Sequence, residues 1–298
     1  MKIIVTGSLG HISKPLTQEL VQKGHSLTVI SSKAERKQDI EALGAKAAIG
    51  SVEDVQFLIN TFTGADAVYC MLPPGGMFSD PAFDVMAYAD KVVNNYVQAI
   101  QQSGVRHVVY LSSIGAHTNK GNGILAFHYN AETTMKKLPA DVAITFMRPV
   151  GFYYNMLGFI NGIKTQGVIA SNYGADDMIP WVSPIDIAAA IAEEIVTLFT
   201  GRKVRYVASE EITCNEVASI LGTAVGKPDL KWIVITNEQL LSGMKAFGMN
   251  AALAEGFVEM NAAQHNGTLF EDYYRNKPSL GKVKVKDFAK EFAVVFNS

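Results

Sequence analysis

Cysteine is scarce in this 298-residue chain: Cys70 and Cys214 stand far apart and form no C-x-x-C spacing. That excludes a disulfide framework and a thiolate metal site. Cys70 lies within the apolar stretch 67–72 and reads as a buried, inert thiol. Charge of one sign is also lacking. The 26 Lys and Arg against 28 Asp and Glu leave a net charge of -2, with no long basic run, so no direct nucleic-acid partner is expected. Lys282, Lys284, Lys286 and Lys290, interspersed with Asp287 and Glu291, read as the solvated side of a strand and a helix. His11, His25, His107, His117 and His265 share no metal-ligand spacing, so no metal is expected. No apolar run is long enough for a bilayer, and the first one is too short for a signal peptide. A cytoplasmic protein with no membrane partner is expected. What the chain does have is apolar mass, 48% hydrophobic against 18% charged, enough for a large core and too much for disorder.

The most informative segment comes first. A short apolar run, residues 2–6, leads straight into Thr6-Gly7-Ser8-Leu9-Gly10-His11-Ile12-Ser13 and then a helical pattern through Leu16, Leu20 and Val21. Glycines let a backbone turn tightly against a pyrophosphate, and the helix that follows offers free N–H groups and the positive end of its dipole. Gly7 and Gly10 meet those needs. Ser13, small but not glycine, stands where close helix–strand packing is required. Pro15 is tolerated in a first helical turn. The expected cofactor contacts on this turn are Thr6, Gly7, Leu9, Gly10, His11 and Ile12.

Strand-like runs at 2–6, 26–31, 45–49, 67–72, 107–112 and 142–147 alternate with helical stretches at 15–23, 34–43, 52–62, 85–103 and 126–138. The strands are apolar throughout rather than alternating, as in a parallel sheet covered on both faces. The fold class expected is α/β, a doubly wound parallel sheet. Ser51-Val52-Glu53-Asp54 resembles a capping box. Ser183-Pro184 and Thr213-Cys214-Asn215-Glu216 also mark helix starts. After residue 150 the rhythm is lost: residues 151–174 are aromatic, glycine-rich and aperiodic. The division expected is a dinucleotide-binding domain at 1–150, with 182–208 returning to it. Residues 151–181 and 209–298 then form a smaller substrate or interaction lobe.

In such a fold the tip of the second strand reads the adenosine ribose. An acidic residue there suits NAD, and a basic or hydroxylic environment suits the 2′-phosphate of NADP. Here the tip is Ile30-Ser31-Ser32-Lys33, with Arg36 one turn on and no carboxylate at the strand end. Ser31, Ser32, Lys33 and Arg36 are therefore expected to hold a phosphate, and NADP(H) is expected in preference to NAD(H). Met71, Leu72 and Pro73 leave the fourth strand on the same sheet edge and are expected along the cofactor. Ser112 and Ser113 end the fifth strand there, with Ser113 a candidate to face the nicotinamide.

Several of these segments together resemble a known family. They are the Thr-Gly-x-x-Gly start, Gly104-Val105-Arg106-His107-Val108-Val109-Tyr110-Leu111-Ser112-Ser113, and Arg148-Pro149 with Phe152 and Asn155. Asp186-Ile187-Ala188 and the closing Val285-Lys286-Asp287-Phe288 extend the likeness through nearly the whole chain. The family is the NmrA-like group of atypical short-chain dehydrogenase/reductases. The resemblance implies a Rossmann NADP-binding domain with a small substrate lobe. It also implies one of two roles: an NADPH-dependent reductase of quinones, triphenylmethane dyes or related acceptors, or a dinucleotide-sensing regulator.

Ordinary short-chain dehydrogenases carry Tyr-x-x-x-Lys on one helical face, the lysine lowering the tyrosine pKa for proton transfer. Here Tyr129 is followed four residues later by Thr133, so that pair is absent. In its place stand His128, Tyr129 and Glu132, matching a His-x-x-Thr/Ala-Glu segment of the reductase-like branch. Glu132 would orient His128 or help to surround the nicotinamide, and His128 or Tyr129 would supply a proton. A flat or apolar substrate would meet Phe78, Phe152, Tyr153, Met156, Phe159 and Trp181, with Asn155 as the polar exception. The expected activity is hydride transfer from NADPH to a small planar or conjugated, quinone-like acceptor. The alternative is a non-catalytic NADP(H) sensor, with a homodimer or a regulatory protein as partner. A sugar-nucleotide epimerase ranks last, because it needs the missing dyad.

Overall fold

The computed structural model describes residues 1–77 and 79–298; Phe78, assigned above to a substrate wall, lies outside them. The strands, among the described residues, are β1 (Lys2–Val5), β2 (Ser26–Ser31), β3 (Lys46–Ile49), β4 (Ala67–Cys70), β5 (His107–Leu111), β6 (Ala143–Pro149), β7 (Gly151–Phe152), β8 (Val168–Ser171), β9 (Met178–Val182), β10 (Arg202–Val207), β11 (Glu210–Thr213) and β12 (Lys231–Val234). The helices are α1 (Ser13–Gln22), α2 (Lys37–Ala42), α3 (Val55–Phe62), α4 (Val85–Ser103), α5 (Ala126–Met135), α6 (Ile160–Gln166), α7 (Pro184–Val196), α8 (Cys214–Ala224), α9 (Asn237–Ala246), α10 (Ala251–His265), α11 (Glu271–Arg275) and α12 (Val285–Asn297). None is long and apolar enough to cross a membrane.

The chain forms two units. The first contains residues 1–113, 127–148 and 187–205, the second 114–126, 149–186 and 206–298. Segment 114–126 thus groups with the second unit, not with the dinucleotide-binding half in which the sequence reading kept it.

The first unit is built on a sheet in the order β10-β6-β5-β4-β1-β2-β3. β1 pairs in parallel with both β2 and β4, and the β2–β3, β4–β5 and β5–β6 pairs are parallel too. This is the doubly wound α/β arrangement, with its strand order reversing between β1 and β4. In such sheets ligands lie outside the carboxyl ends of the strands at that reversal. Every residue of β4, β5 and β6 is buried, in keeping with their mostly apolar sequences. Ile4, Val68, Val108 and Ile144 of the sheet pack with Leu58 and Phe62 of α3 and with Val92 and Tyr96 of α4. The rings of Phe62 and Tyr96 stack at 6.4 Å. α4 starts where Asp84 accepts from the N–H groups of Met86 and Ala87.

Several expected boundaries move, those of three helices most. The helix expected from residue 52 begins at Val55. Its cap is Asp54, which accepts from the Phe57 N–H, while Ser51 Oγ accepts from the Glu53 N–H in a tight turn. Residues 34–43 split into a 3-10 turn, Ala34–Arg36, and the short α2. α5 stops at Met135 rather than 138, because Pro139 disfavours helix at the residue before it.

The second unit contains a three-stranded sheet in the order β11-β9-β7 and a parallel β12–β8 pair. α12 buries Val285, Phe288, Ala289, Phe292 and Phe296 along one stripe and packs on α8. Thr213 and Glu216 form the expected capping box of α8. The Asp186 carboxylate accepts from Ser209 Oγ at 2.6 Å and from the Lys282 and Val283 N–H groups. Residues 282–284 are not a strand, and Lys284 is not simply solvated. Its ammonium donates to the carbonyls of Ser209 (2.7 Å) and Gly281 (3.1 Å).

Candidate functional site

The glycine turn joins β1 to α1. Gly7 has φ +87°, and a Cβ added there would come within 2.7 Å of Ser13 Oγ and 3.1 Å of Met71 Sδ. This is the close approach that excludes any side chain at Gly7. Ser13 fills the third small-residue position usefully, since its hydroxyl donates to the Thr6 carbonyl at 2.8 Å and so ties α1 to the end of β1. The Gly10 N–H closes the turn on the Gly7 carbonyl. Ile12 precedes α1 and offers no side-chain cap, so the first turn of the helix keeps the anion-seeking character of an uncapped N-terminus. Gly10 and His11 are exposed, Leu9 is half-buried, and Ile12 is buried. The cradle excludes a Cβ, and no side chain caps the helix start; both fit a pyrophosphate.

The exit of β4 is pinned beside this turn. The Met71 N–H donates to Thr6 Oγ1 at 3.0 Å, and Tyr96 OH donates to the Met71 carbonyl at 2.8 Å. Leu72 and Pro73 continue from it, half-buried. At the tip of β2, Ser31 is 2% exposed, whereas Ser32, Lys33 and Arg36 are exposed. Ser8 Oγ donates to Ser31 Oγ at 2.9 Å, and the Lys33 N–H donates to the same oxygen at 3.2 Å. Arg36 makes a loose ion pair with Asp39 at 3.4 Å, leaving Lys33 as the ammonium nearest the strand tip in sequence.

Past β5 and β6 stands a buried ion pair. Arg148 grips Glu132 with two parallel bonds, Nε to Oε1 at 2.8 Å and Nη2 to Oε2 at 2.7 Å. Ser112 Oγ donates to Oε1 at 2.7 Å, and Lys136 Nζ approaches Oε2 at 3.2 Å. Glu132 is fully buried and Arg148 is 5% exposed. The sequence leaves Glu132 either to orient His128 or to help surround the nicotinamide. The structure gives its oxygens to Ser112, Arg148 and Lys136, because a buried carboxylate requires a cation and donors. Ser112 is committed to the same network; Ser113 is half-buried.

His128 lies half-buried against Phe127, ring centroids 4.1 Å apart, and its Nδ1 is buried with no hydrogen-bond partner. Burial lowers its pKa to about 3, so the ring is neutral at ordinary pH and no imidazolium acid. Tyr129 is half-buried, and Thr133, four residues on, donates its hydroxyl to the Tyr129 carbonyl.

Among the described residues, several of the aromatic side chains expected around a substrate belong to the core of the second unit. Tyr153, Met156 and Trp181 are at most 2% exposed in the second unit, where the sequence reading had lined a pocket with them. Tyr153 stacks on Phe288 and donates its hydroxyl to the Val283 carbonyl. Phe159 packs edge-on to Trp232. Phe152 is half-buried and Asn155 exposed. Apolar aromatic residues after a sixth strand serve a lobe core as readily as a pocket, which sequence alone does not separate.

Sequence reasoning assigned no role to Ser8, Tyr96 or Arg148. Only Arg148 left a signal, as part of the Arg-Pro pair that contributed to the family resemblance.

Residues 7–195 match the family described as NAD(P)H-binding, and the chain belongs to that family. It is similar to an NAD(P)H azoreductase of Xenophilus azovorans, 24% identical over 264 residues, covering 87% of this chain and 86% of that one. It is also similar to the (4-alkanoyl-5-oxo-2,5-dihydrofuran-3-yl)methyl phosphate reductase of Streptomyces griseus, at 26% identity over 227 residues, 76% of this chain and 74% of the relative. Among solved structures, the fold matches the NADPH-dependent quinone oxidoreductase QOR2 of Escherichia coli in complex with NADPH. The TM-score is 0.81 at 19% identity, covering 97% of this chain and 99% of that one. The fold also matches triphenylmethane reductase of Citrobacter sp., with a TM-score of 0.74 at 19% identity, covering 99% of this chain and 100% of that one. The chain is thus an NAD(P)H-binding protein.

Proposed function

We propose that the protein is an NADPH-dependent reductase of small, planar or conjugated acceptors such as quinones, azo compounds or dyes. The observation that carries this reading is the state of α5. Where a ketone reductase carries its Tyr–Lys acid, this helix offers a neutral His128 and a Glu132 already bound to Arg148 and Ser112. An acceptor that spreads the incoming electron pair over a conjugated system needs little help from an acid. When bound, the nicotinamide supplies the hydride.

The remaining work belongs to this chain's residues. The turn from Gly7 to Ile12 and the N-terminus of α1 bind the pyrophosphate, and the Met71 backbone, fixed by Thr6 and Tyr96, lies beside that turn. Lys33, with Ser32 and Arg36, recognises a 2′-phosphate by charge. The Ser112–Glu132–Arg148 network orders the ends of β5 and β6. Tyr129 is the one hydroxyl of the expected site on α5 not held by that network, and it or solvent delivers the proton.

The reductase names of the relatives support this reading. The test is NADPH oxidation followed with a panel of quinones, azo dyes, triphenylmethane dyes and enones. Turnover with at least one class is expected. Tight NADPH binding with no turnover across the panel would overturn the reading in favour of a nucleotide sensor.

A further inference from the structure

Ser8 occupies a conformation that an L residue rarely adopts, φ +55°, in the middle of the nucleotide turn. Two bonds hold it there. Its N–H donates to the Ile30 carbonyl at 3.0 Å, and its hydroxyl donates to Ser31 Oγ at 2.9 Å. Ser31 itself is saturated. Its oxygen accepts from Ser8 Oγ and from the Lys33 N–H, and its proton goes to the Lys33 carbonyl at 3.3 Å. A hydroxyl has one donor and two acceptor positions, so no capacity remains for a phosphate oxygen. At 2% exposure, Ser31 also faces the protein rather than a ligand.

From this geometry we infer that Ser31 is a positioning residue for the nucleotide turn and not a ligand of the 2′-phosphate. It acts through Ser8. The hydroxyl pair clamps the left-handed residue that sets the direction of the backbone between Gly7 and Gly10, which in turn aims the turn's N–H groups. The clamp serves the pyrophosphate, common to both nucleotides, and so carries no preference between them. Selection of NADPH falls to the exposed Lys33, Ser32 and Arg36. This inference rests on membership of the NAD(P)H-binding family and stands whether or not NADPH is preferred.

The experiment is a fluorescence or calorimetric titration of NADPH and NADH, with thermal melts of the nucleotide-free variants as a check on folding. Ser31→Ala and Ser8→Ala each remove one end of the clamp and are expected to weaken both nucleotides by about five-fold, the scale of one hydrogen bond's net contribution. Ser8→Gly needs no clamp, because glycine adopts positive φ freely. S8G/S31A is therefore expected to bind both nucleotides as S8G does. A loss in S31A confined to NADPH would assign Ser31 to the phosphate and overturn the positioning role. So would S8G/S31A binding as weakly as S31A, or S31A binding like the wild type. Lys33→Ala separates this from the NADPH reading: equal binding of the two nucleotides by wild type and K33A would end that reading and leave the clamp standing.

Discussion

A single carbon at Gly7 tests the nucleotide turn most directly. Gly7→Ala would set a methyl against Ser13 Oγ and Met71 Sδ at a φ of +87°. Left-handed backbone costs an L residue roughly 1–2 kcal/mol, so affinity for either nucleotide should fall about five- to thirty-fold by titration while the fold persists. Glu132→Ala leaves Arg148 buried without its counter-ion and should cost roughly 3–5 kcal/mol in urea unfolding. Replacing both, Glu132→Leu with Arg148→Met, should recover most of that stability, because the loss comes from the orphaned charge. His128 sets a pH dependence. Its pKa in the fold is about 3, while an unfolded histidine titrates near 6.5. On acidification the unfolded chain binds the proton first, so stability is full above about pH 7 and declines as pH falls from about 6.5 toward 3. His107, also lowered by burial, adds in the same direction. His128→Phe should flatten this decline in denaturation curves taken at pH 7 and pH 4.5.

At the scale of elements, the loop before α12 depends on one carboxylate. Asp186→Ala removes the acceptor of the Ser209 hydroxyl proton and of the N–H groups of Lys282 and Val283. Amide exchange at Lys282 and Val283 should rise by an order of magnitude in hydrogen-exchange mass spectrometry. The elements of the first unit were legible in the sequence because their signals are local. The inner strands are mostly apolar, and the Gly7–Ile12 turn follows β1 after Thr6 alone. The start of α3 misled because two caps compete, Ser51 in a tight turn and Asp54 at the helix itself. The second unit was legible only in part. β7 is two residues long and β8 four, too short to show a period, and a 3-10 turn lies between β7 and α6. The Glu132–Arg148 pair joins residues 16 apart in sequence on a helix and a strand, and Ser8 meets Ser31 across a whole α1. No spacing rule reports such meetings, since they depend on sheet order.

At the scale of the molecule, cofactor choice should follow from exposed charge at one strand tip. Lys33→Ala is expected to weaken NADPH about ten-fold, as one charge-assisted contact would, and to leave NADH unchanged in parallel titrations. The two units also have a consequence for synthesis, because neither is one continuous stretch of chain. The first unit closes only when residues 187–205 arrive, roughly ninety residues after residue 113. At about 5–20 residues per second, a ribosome needs several seconds to over a quarter of a minute to make that interval. β6, which borders β5, is itself made well into it, and β10, which borders β6, comes last. Until each partner emerges, a nascent chain carries a largely apolar strand with one unpaired edge, first His107–Leu111 and then Ala143–Pro149. Open edges of that composition seek any strand within reach. Newly made chains, rather than mature ones, are therefore the population in which crowding or slowed translation should drive aggregation.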